Sequence, residues 1–201
     1  KDVVLAAVTE RSRAVEHASD RLKNDRDIAL VIAGHYGDDW EYIAEKHRSD
    51  PEVVLKYYES GGALQELSAI PEAVRSNRQI ALAAVRNSPW ALEHAVDAHK
   101  QDPEIVKIAI EKRGNVLRFA PAFLDDKEMV QLAIKSEPWV LEHVSSRLQD
   151  DQETVLLAVQ RYGGALQFAS PRMQNIREVV EVALKEDVSA IQFVSEALRK
   201  E

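Results

Sequence analysis

Apolar residues recur along the chain with two nested spacings. Within DPEIVKIAI (102–110) they stand at Ile105, Val106, Ala109 and Ile110. Positions i, i+1, i+4 and i+5 share one stripe of a helix. The same phrase returns at Asp25 (DRDIALVIA), Asp50 (DPEVVLKYY), Asn77 (NRQIALAAV), Asp126 (DKEMVQLAI), Asp151 (DQETVLLAV) and Ile176 (IREVVEVAL), and KDVVLAAV at 1–8 is the phrase without its first residue. From residue 25 onward the starts are 25, 27, 25, 24, 25 and 25 residues apart. Fifteen residues after each start, with one gap in the third repeat, stands a large apolar residue: Val15, Trp40, Leu64, Leu92, Leu117, Leu141, Leu166 or Ile191. Seven further on comes Leu22, Leu124, Leu148, Met173 or Leu198. The pattern predicts an all-α fold: an α-solenoid of eight helix-turn-helix repeats of about 25 residues. The repeats start near 1, 25, 50, 77, 102, 126, 151 and 176, and residues 1–201 read as one repeat domain.

The polar residues between the apolar stripes mark where helices begin and stop. An opening Asp or Asn accepts from the unpaired N–H groups of the first turn. Pro51 and Pro103 follow directly, where a missing N–H costs nothing. Glu52, Glu104, Glu128 and Glu153 then favour the positive end of the helix dipole. The eighth repeat lacks the Asp, but Asn175 and Glu178 have capping-box spacing. The third stripe residue is usually small (Ala7, Ala84, Ala109, Ala133, Ala158, Ala183), which lets a neighbouring helix come close. Gly37, Gly61, Gly62, Gly114, Gly163 and Gly164 lie between the first and second segments, with Gly34 at the end of a first segment. They are expected to act as left-handed helix stops. Pro89 and Pro138 take that place in the fourth and sixth repeats. The second helix is short and ends before Pro121 and Pro171, with a further helical turn, PRMQ (171–174), leading onward. Helices shorter than about 12–15 residues barely persist alone in water, so these must be stabilised by stacking. Eight layers about 8–10 Å apart would give an arc of roughly 60–80 Å.

Two longer phrases are duplicated. SPWALEHAV (88–96) and EPWVLEHVS (137–145) fall in the fourth and sixth repeats, and SGGALQ (60–65) and YGGALQ (162–167) in the third and seventh. The natural module is therefore expected to be a pair of repeats, about 50 residues long. The pattern D-x-E-V-V-L-x-A-V followed by G-x-A-L-x-F/H-A-S-P-x-L resembles the repeats of the domain-of-unknown-function family numbered 4116, best at 102–125 and 151–175. The resemblance implies a multi-repeat protein of the kind found in bacteria, intracellular pathogens among them, and in some unicellular eukaryotes. It brings no catalytic residues. SAIPEAVRS (68–76) in the third repeat departs from the pattern.

Composition narrows the function classes. No cysteine is present, so disulfides, thiolate metal sites and Cys nucleophiles are excluded. The 34 Asp+Glu outnumber the 26 Lys+Arg for a formal charge of −8, which opposes nucleic-acid binding. No apolar run approaches the roughly 18 residues of a membrane span, so no membrane role is expected. The chain opens on Lys1 and reads as a piece of a longer protein. It is expected in the cytoplasm, or in a host cytosol for a secreted effector.

Nucleotide-binding glycine loops, H-E-x-x-H and G-x-S-x-G are missing, and no His follows a Glu by three residues. No catalytic, cofactor or metal residue is nominated. His17, His94 and His143 share a repeat position with Tyr42, Phe119, Phe168 and Phe193, which describes a half-buried packing slot with a polar edge. Trp40 fills the core slot, whereas Trp90 and Trp139 stand two positions before it. They are either staples on the preceding loop or exposed anchors for a partner. Glu16, Glu41, Gln65, Glu93, Glu142, Gln167 and Gln192 recur at one position, interrupted by Arg118, and describe a solvated acidic-polar stripe. The expected function is a non-enzymatic scaffold binding a protein partner through Trp90, Trp139, His94, His143, Glu93 and Glu142, with self-association through open solenoid ends as a further expectation. The alternative is a spacer or regulatory arm of a larger multidomain protein, such as a bacterial effector, whose activity lies elsewhere.

Overall fold

A computed structural model describes residues 1–35, 39–62 and 70–200, and every regular element among them is helical. The all-α fold and its recurring element order are as the stripe pattern predicts. The chain divides into two compact bodies, Lys1–His99 and Lys100–Glu201. In the first body the helices Asp2–Glu10, Arg26–Ala33, Pro51–Glu59 and Arg78–Asn87 each pack on the next. In the second, Pro103–Lys112, Lys127–Ser136, Gln152–Val159 and Arg177–Glu186 do the same. A second row runs beside the long helices. Its members are Gly114–Phe119, Pro138–Glu142, Gly163–Phe168 and Val188–Phe193 in the second body, again each on the next. A short third turn, such as Ser146–Gln149 or Met173–Asn175, leads into the following repeat. The expected α-helical second segment is thus a 3₁₀ turn in most repeats. Five or six residues between two helix-breaking points are too few to sustain α geometry, and the tighter helix serves in such pieces.

The caps form as the sequence predicts. Asp25, Asp50, Asn77, Asp102, Asp126 and Asp151 each accept a backbone N–H of their own first turn. Asn175 does not cap the helix Arg177–Glu186; Ile176 stands at its N-cap without a side-chain bond. The Asn175 carboxamide oxygen is instead taken by the hydroxyl of Ser195, 2.6 Å away.

The stripe residues build the core. Val106, Ile110, Val130, Ile134, Val155 and Val159 are fully buried, as are the slot residues Leu117, Leu141 and Leu166. Ile191 occupies the same slot but is exposed, with no further described repeat of its own body packed over it. Leu64, Gln65 and Gly37 lie outside the described residues.

Among the described residues only Gly61 has a positive φ, +91°. The other described glycines are therefore not left-handed stops. Gly114 and Gly163 are required by closeness between repeats. A Cβ on Gly114 would lie 2.1 Å from the carbonyl oxygen of Ala133, and one on Gly163 would lie 2.4 Å from that of Ala183. In each case the start of one repeat's second segment sits against the long helix of the next. Gly114 N–H donates to Ser136 Oγ at 2.8 Å, Asn115 N–H to Glu137 Oε2 at 2.6 Å, and Gly163 N–H to the Glu186 carboxylate.

Two ladders of charge bind successive repeats. The base one residue after a repeat start reaches the capping Asp and the acid two residues beyond it in the next repeat. Lys1 pairs in this way with Asp25 and Asp27, Arg26 with Asp50 and Glu52, and Lys127 with Asp151 and Glu153. The second ladder clamps the third turns. Ser145 and Arg147 hold Asp125, and Ser170 and Arg172 hold Asp150. Arg26 draws the Asp50 carboxyl below the usual range, Ser145 and then Arg147 do so for Asp125, and Ser170 outweighs desolvation for Asp150, with help from Arg172.

Two outcomes follow from this packing. Gly114→Ala and Gly163→Ala are each expected to cost about 1–3 kcal/mol in urea unfolding, the usual range for overpacking. Gly34→Ala should cost less, since its tightest contact outside its own helix is the flexible end of Lys56, 3.2 Å away. The lowered carboxyl values fix a sign for acid. Their stabilisation is complete above the ordinary value of about 3.9 and is lost as pH falls through the lower folded values. The thermal midpoint should therefore hold between about pH 6 and 8 and drop below about pH 4. An Asp50→Asn/Asp150→Asn variant should start less stable and show a shallower acid loss.

Candidate protein-interaction surface

The duplicated phrase has an inward half and an outward half. In EPWVLEHVS, Glu137 is buried and accepts from Asn115 N–H and Arg113, Pro138 is buried, and Leu141 fills the core slot. Trp139 and Glu142 point outward, and Trp139 is 43% exposed. Its indole meets the ring of Tyr162 edge-on, centroids 6.5 Å apart at 87°. Tyr162 is itself 39% exposed. In the first body, SPWALEHAV buries Ala91 and Leu92, half-buries Trp90 and His94, and exposes Glu93. The His94 carbonyl accepts a 2.9 Å bond from Arg75. His143, in the second body, is also half-buried, as the shared slot with Tyr and Phe predicts. His17 departs from it and is exposed.

Tyr162 was not among the residues the sequence singled out. Its signal is the Gly at the Trp139-equivalent position of the next repeat. An added Cβ on Gly164 would lie 2.5 Å from Tyr162 Cζ, so the tyrosine ring covers the place where a side chain is missing.

The polar stripe is exposed wherever it is described, at Glu16, Glu41, Glu93, Arg118, Glu142, Gln167 and Gln192. In the first body Glu16 and Glu41 border a groove of about 470 Å³ with Val15, Tyr42, Glu45 and Arg48. The Glu41 carboxylate accepts the Tyr42 hydroxyl and pushes its pKa up. Arg48 is turned to the backbone, donating to the carbonyls of Ile43 and Glu41.

One cluster has the residue types of a hydrolytic triad. Ser12 Oγ lies 2.6 Å from His35 Nδ1, and Asp39 Oδ2 lies 3.5 Å from the same nitrogen. Relay of a proton needs the hydroxyl and the carboxylate on opposite ring nitrogens. Ser12 is also buried. Ser12 and His35 hold the repeat positions of Gly114 and Ser136, so their bond is the ordinary contact between repeats. Among the described residues no group of three or more His, Asp or Glu is placed to hold a metal ion. No helix among them is long and apolar enough to cross a membrane.

The family model described as Domain of unknown function (DUF4116) matches residues 1–33, 77–124, 102–149, 126–174 and 151–199. The chain belongs to this family. No curated protein and no solved structure matches it. Four of the DUF4116 matches begin at Asn77, Asp102, Asp126 and Asp151, the capping residues, and each runs to the end of the following repeat. A DUF4116 module is thus two consecutive repeats, and it fits in either phase of the Pro-Trp and Gly-Gly alternation. The irregular SAIPEAVRS lies in the stretch 34–76 that the family model leaves unmatched.

The two kinds of tryptophan differ in what their removal should do. Trp40 is buried against Tyr57, centroids 4.7 Å apart, so Trp40→Ala should cost about 3–5 kcal/mol in urea unfolding. Trp139→Ala should change stability by less than about 1 kcal/mol, as substitutions away from the core do.

Proposed function

We propose that this chain is a non-enzymatic helical-repeat scaffold that binds another protein along the row of second segments. The observation that carries this reading is the exposed Trp139–Tyr162 pair. Packing alone does not call for it, since the repeat closes its core with Leu141 and Leu166 beneath the pair. Trp and Tyr are the residues most enriched among interface anchors, and a polar surround that excludes water suits them. Glu142 and Gln167 supply such a surround in the second body, and Trp90, Glu93 and His94 offer a related set in the first. His143, half-buried after Glu142, completes the outward half of the phrase. The charge of −8 supports a protein partner over a nucleic acid. The non-enzymatic reading is supported by the Ser12–His35–Asp39 geometry, which is built as a contact between repeats.

The test is affinity capture from cell lysate with the wild type beside a Trp90→Ala/Trp139→Ala variant that circular dichroism shows to be folded. A protein retained by the wild type and lost by the variant is the expected result. Equal retention by both, or retention by neither, overturns the assignment of these residues.

A further inference from the structure

The exposed ring pair of the second body is edged by polar groups that the fold itself does not use. The rings of Trp139 and Tyr162 stand at 87° with centroids 6.5 Å apart, and both are open to solvent. At that separation, near the upper end for ring pairs, they form an open corner with two aromatic walls. Among the described residues, the Trp139 indole N–H, the Tyr162 hydroxyl and the Glu142 carboxylate make no hydrogen bond or ion pair. Glu142 is exposed beside them and is the one acid at its repeat position in this body, where Arg118, Gln167 and Gln192 are the others.

The turn geometry puts this carboxylate at the corner. Trp139 and Glu142 are three residues apart on the 3₁₀ turn Pro138–Glu142, and side chains so spaced eclipse on that helix. The preceding repeat shows the two positions in contact: Asn115 and Arg118 hold them, and Arg118 Nη1 donates to Asn115 Oδ1 at 3.4 Å. Arg118 also lies over a ring, its Cζ 4.8 Å from the centroid of Phe119. A guanidinium on an aromatic face is thus already part of this row. Two ring faces and a free carboxylate attract one kind of group, a cation. A planar guanidinium can lie on a ring and turn its N–H edge to a carboxylate at once, which an ammonium cannot. The indole N–H and the phenol hydroxyl still need acceptors, and the backbone carbonyls of an extended chain supply them.

We infer, on the strength of the scaffold reading above, that the partner is held here through an arginine. An extended basic segment of the partner protein places one guanidinium in the Trp139–Tyr162 corner against Glu142. Trp139 Nε1–H and the Tyr162 hydroxyl donate to carbonyls of the same segment. A basic segment is also the kind that a chain of charge −8 attracts.

Short Gly-Ser peptides with a central arginine, citrulline or lysine test this by NMR titration of the tryptophan indole N–H signals. Citrulline keeps the shape of arginine and lacks its charge. The signal missing from a Trp139→Phe variant identifies Trp139, and that of the buried Trp40 is an internal control. The arginine peptide is expected to shift the Trp139 signal saturably and to leave Trp40 unmoved. The citrulline and lysine peptides should bind about three- to tenfold more weakly. The arginine peptide should weaken by about the same factor on Glu142→Gln, an exposed change that leaves the fold intact, as circular dichroism verifies. A Trp139 signal that the arginine peptide does not move, citrulline bound as tightly as arginine, or undiminished binding to Glu142→Gln would each overturn the inference. Lysine bound as tightly as arginine would overturn the choice of arginine. The scaffold reading fails separately. It is lost if lysate capture is the same with and without Trp90 and Trp139, and it stands if capture needs them while arginine and citrulline bind alike.

Discussion

The structure depends on how near the long helix of one repeat comes to the backbone that opens the preceding repeat's second segment. At Gly114 and Gly163 no side-chain atom fits between that backbone and the carbonyls of Ala133 and Ala183. This closeness fixes several residues at once. It calls for a small residue on the helix at Ala133 and Ala183, for a Gly opposite each, and for an acceptor at Ser136 or Glu186 to receive the amide. A helix of eight to ten residues and a 3₁₀ turn of five or six are each too short to stand alone. The contact between repeats is therefore what stabilises the helices, and each helix carries the groups that the preceding turn requires.

The same constraint decides where the backbone's polar groups go. A 3₁₀ turn beside a longer helix leaves N–H and C=O groups without regular partners, and buried ones must be satisfied elsewhere. Side chains at fixed repeat positions do this. Gln149 donates to the carbonyl of Leu141, Gln174 to those of Leu166 and Ala169, and Arg48 to those of Ile43 and Glu41. The capping aspartates serve twice. Asp50 caps its own helix and receives Arg26 from the repeat before, and Asp151 caps and receives Lys127. One carboxylate thus both begins a helix and sets its position against its neighbour. That double use explains why the opening Asp recurs so faithfully while the exposed residues around it vary.

Contacts within a repeat were legible in the sequence, and contacts between repeats were not. The starts at Asp25, Asp50, Asn77, Asp102, Asp126 and Asp151 follow from local capping chemistry, and the slots at Leu117, Leu141 and Leu166 from periodicity. Gly114 and Gly163 were misread for a physical reason. A left-handed turn and a close approach to another chain segment both exclude a Cβ, and only the second involves a residue far along the chain, Ala133 for Gly114 and Ala183 for Gly163. Asn175 has the spacing of a cap, but the hydroxyl of Ser195, one repeat on, takes its oxygen. Ile191 fits the core period, yet burial at that position depends on a following repeat rather than on its own. The candidate surface was legible in the same measure. Pro-Trp-x-Leu-Glu-His marked the place, but Tyr162 becomes its partner only through the ring that folds over Gly164.

The alternation of Pro-Trp and Gly-Gly then has a joint meaning. A side chain at the Trp139 position projects outward, so the repeat itself does not require it, and Gly164 shows that the position can hold no side chain at all. Where the side chain is missing, Tyr162 turns across the gap and meets the indole of the repeat before. The Trp of one repeat and the Gly of the next together make a single aromatic step on the surface, which neither makes alone. The Pro, the buried Glu137 and the Leu of the phrase hold the turn in place, and the Trp and Glu are left to face outward. A phrase repeated only for packing would conserve its inward half; here the outward half, Trp-x-x-Glu, is repeated as well. That is the physical ground for separating what builds this repeat from what the repeat presents.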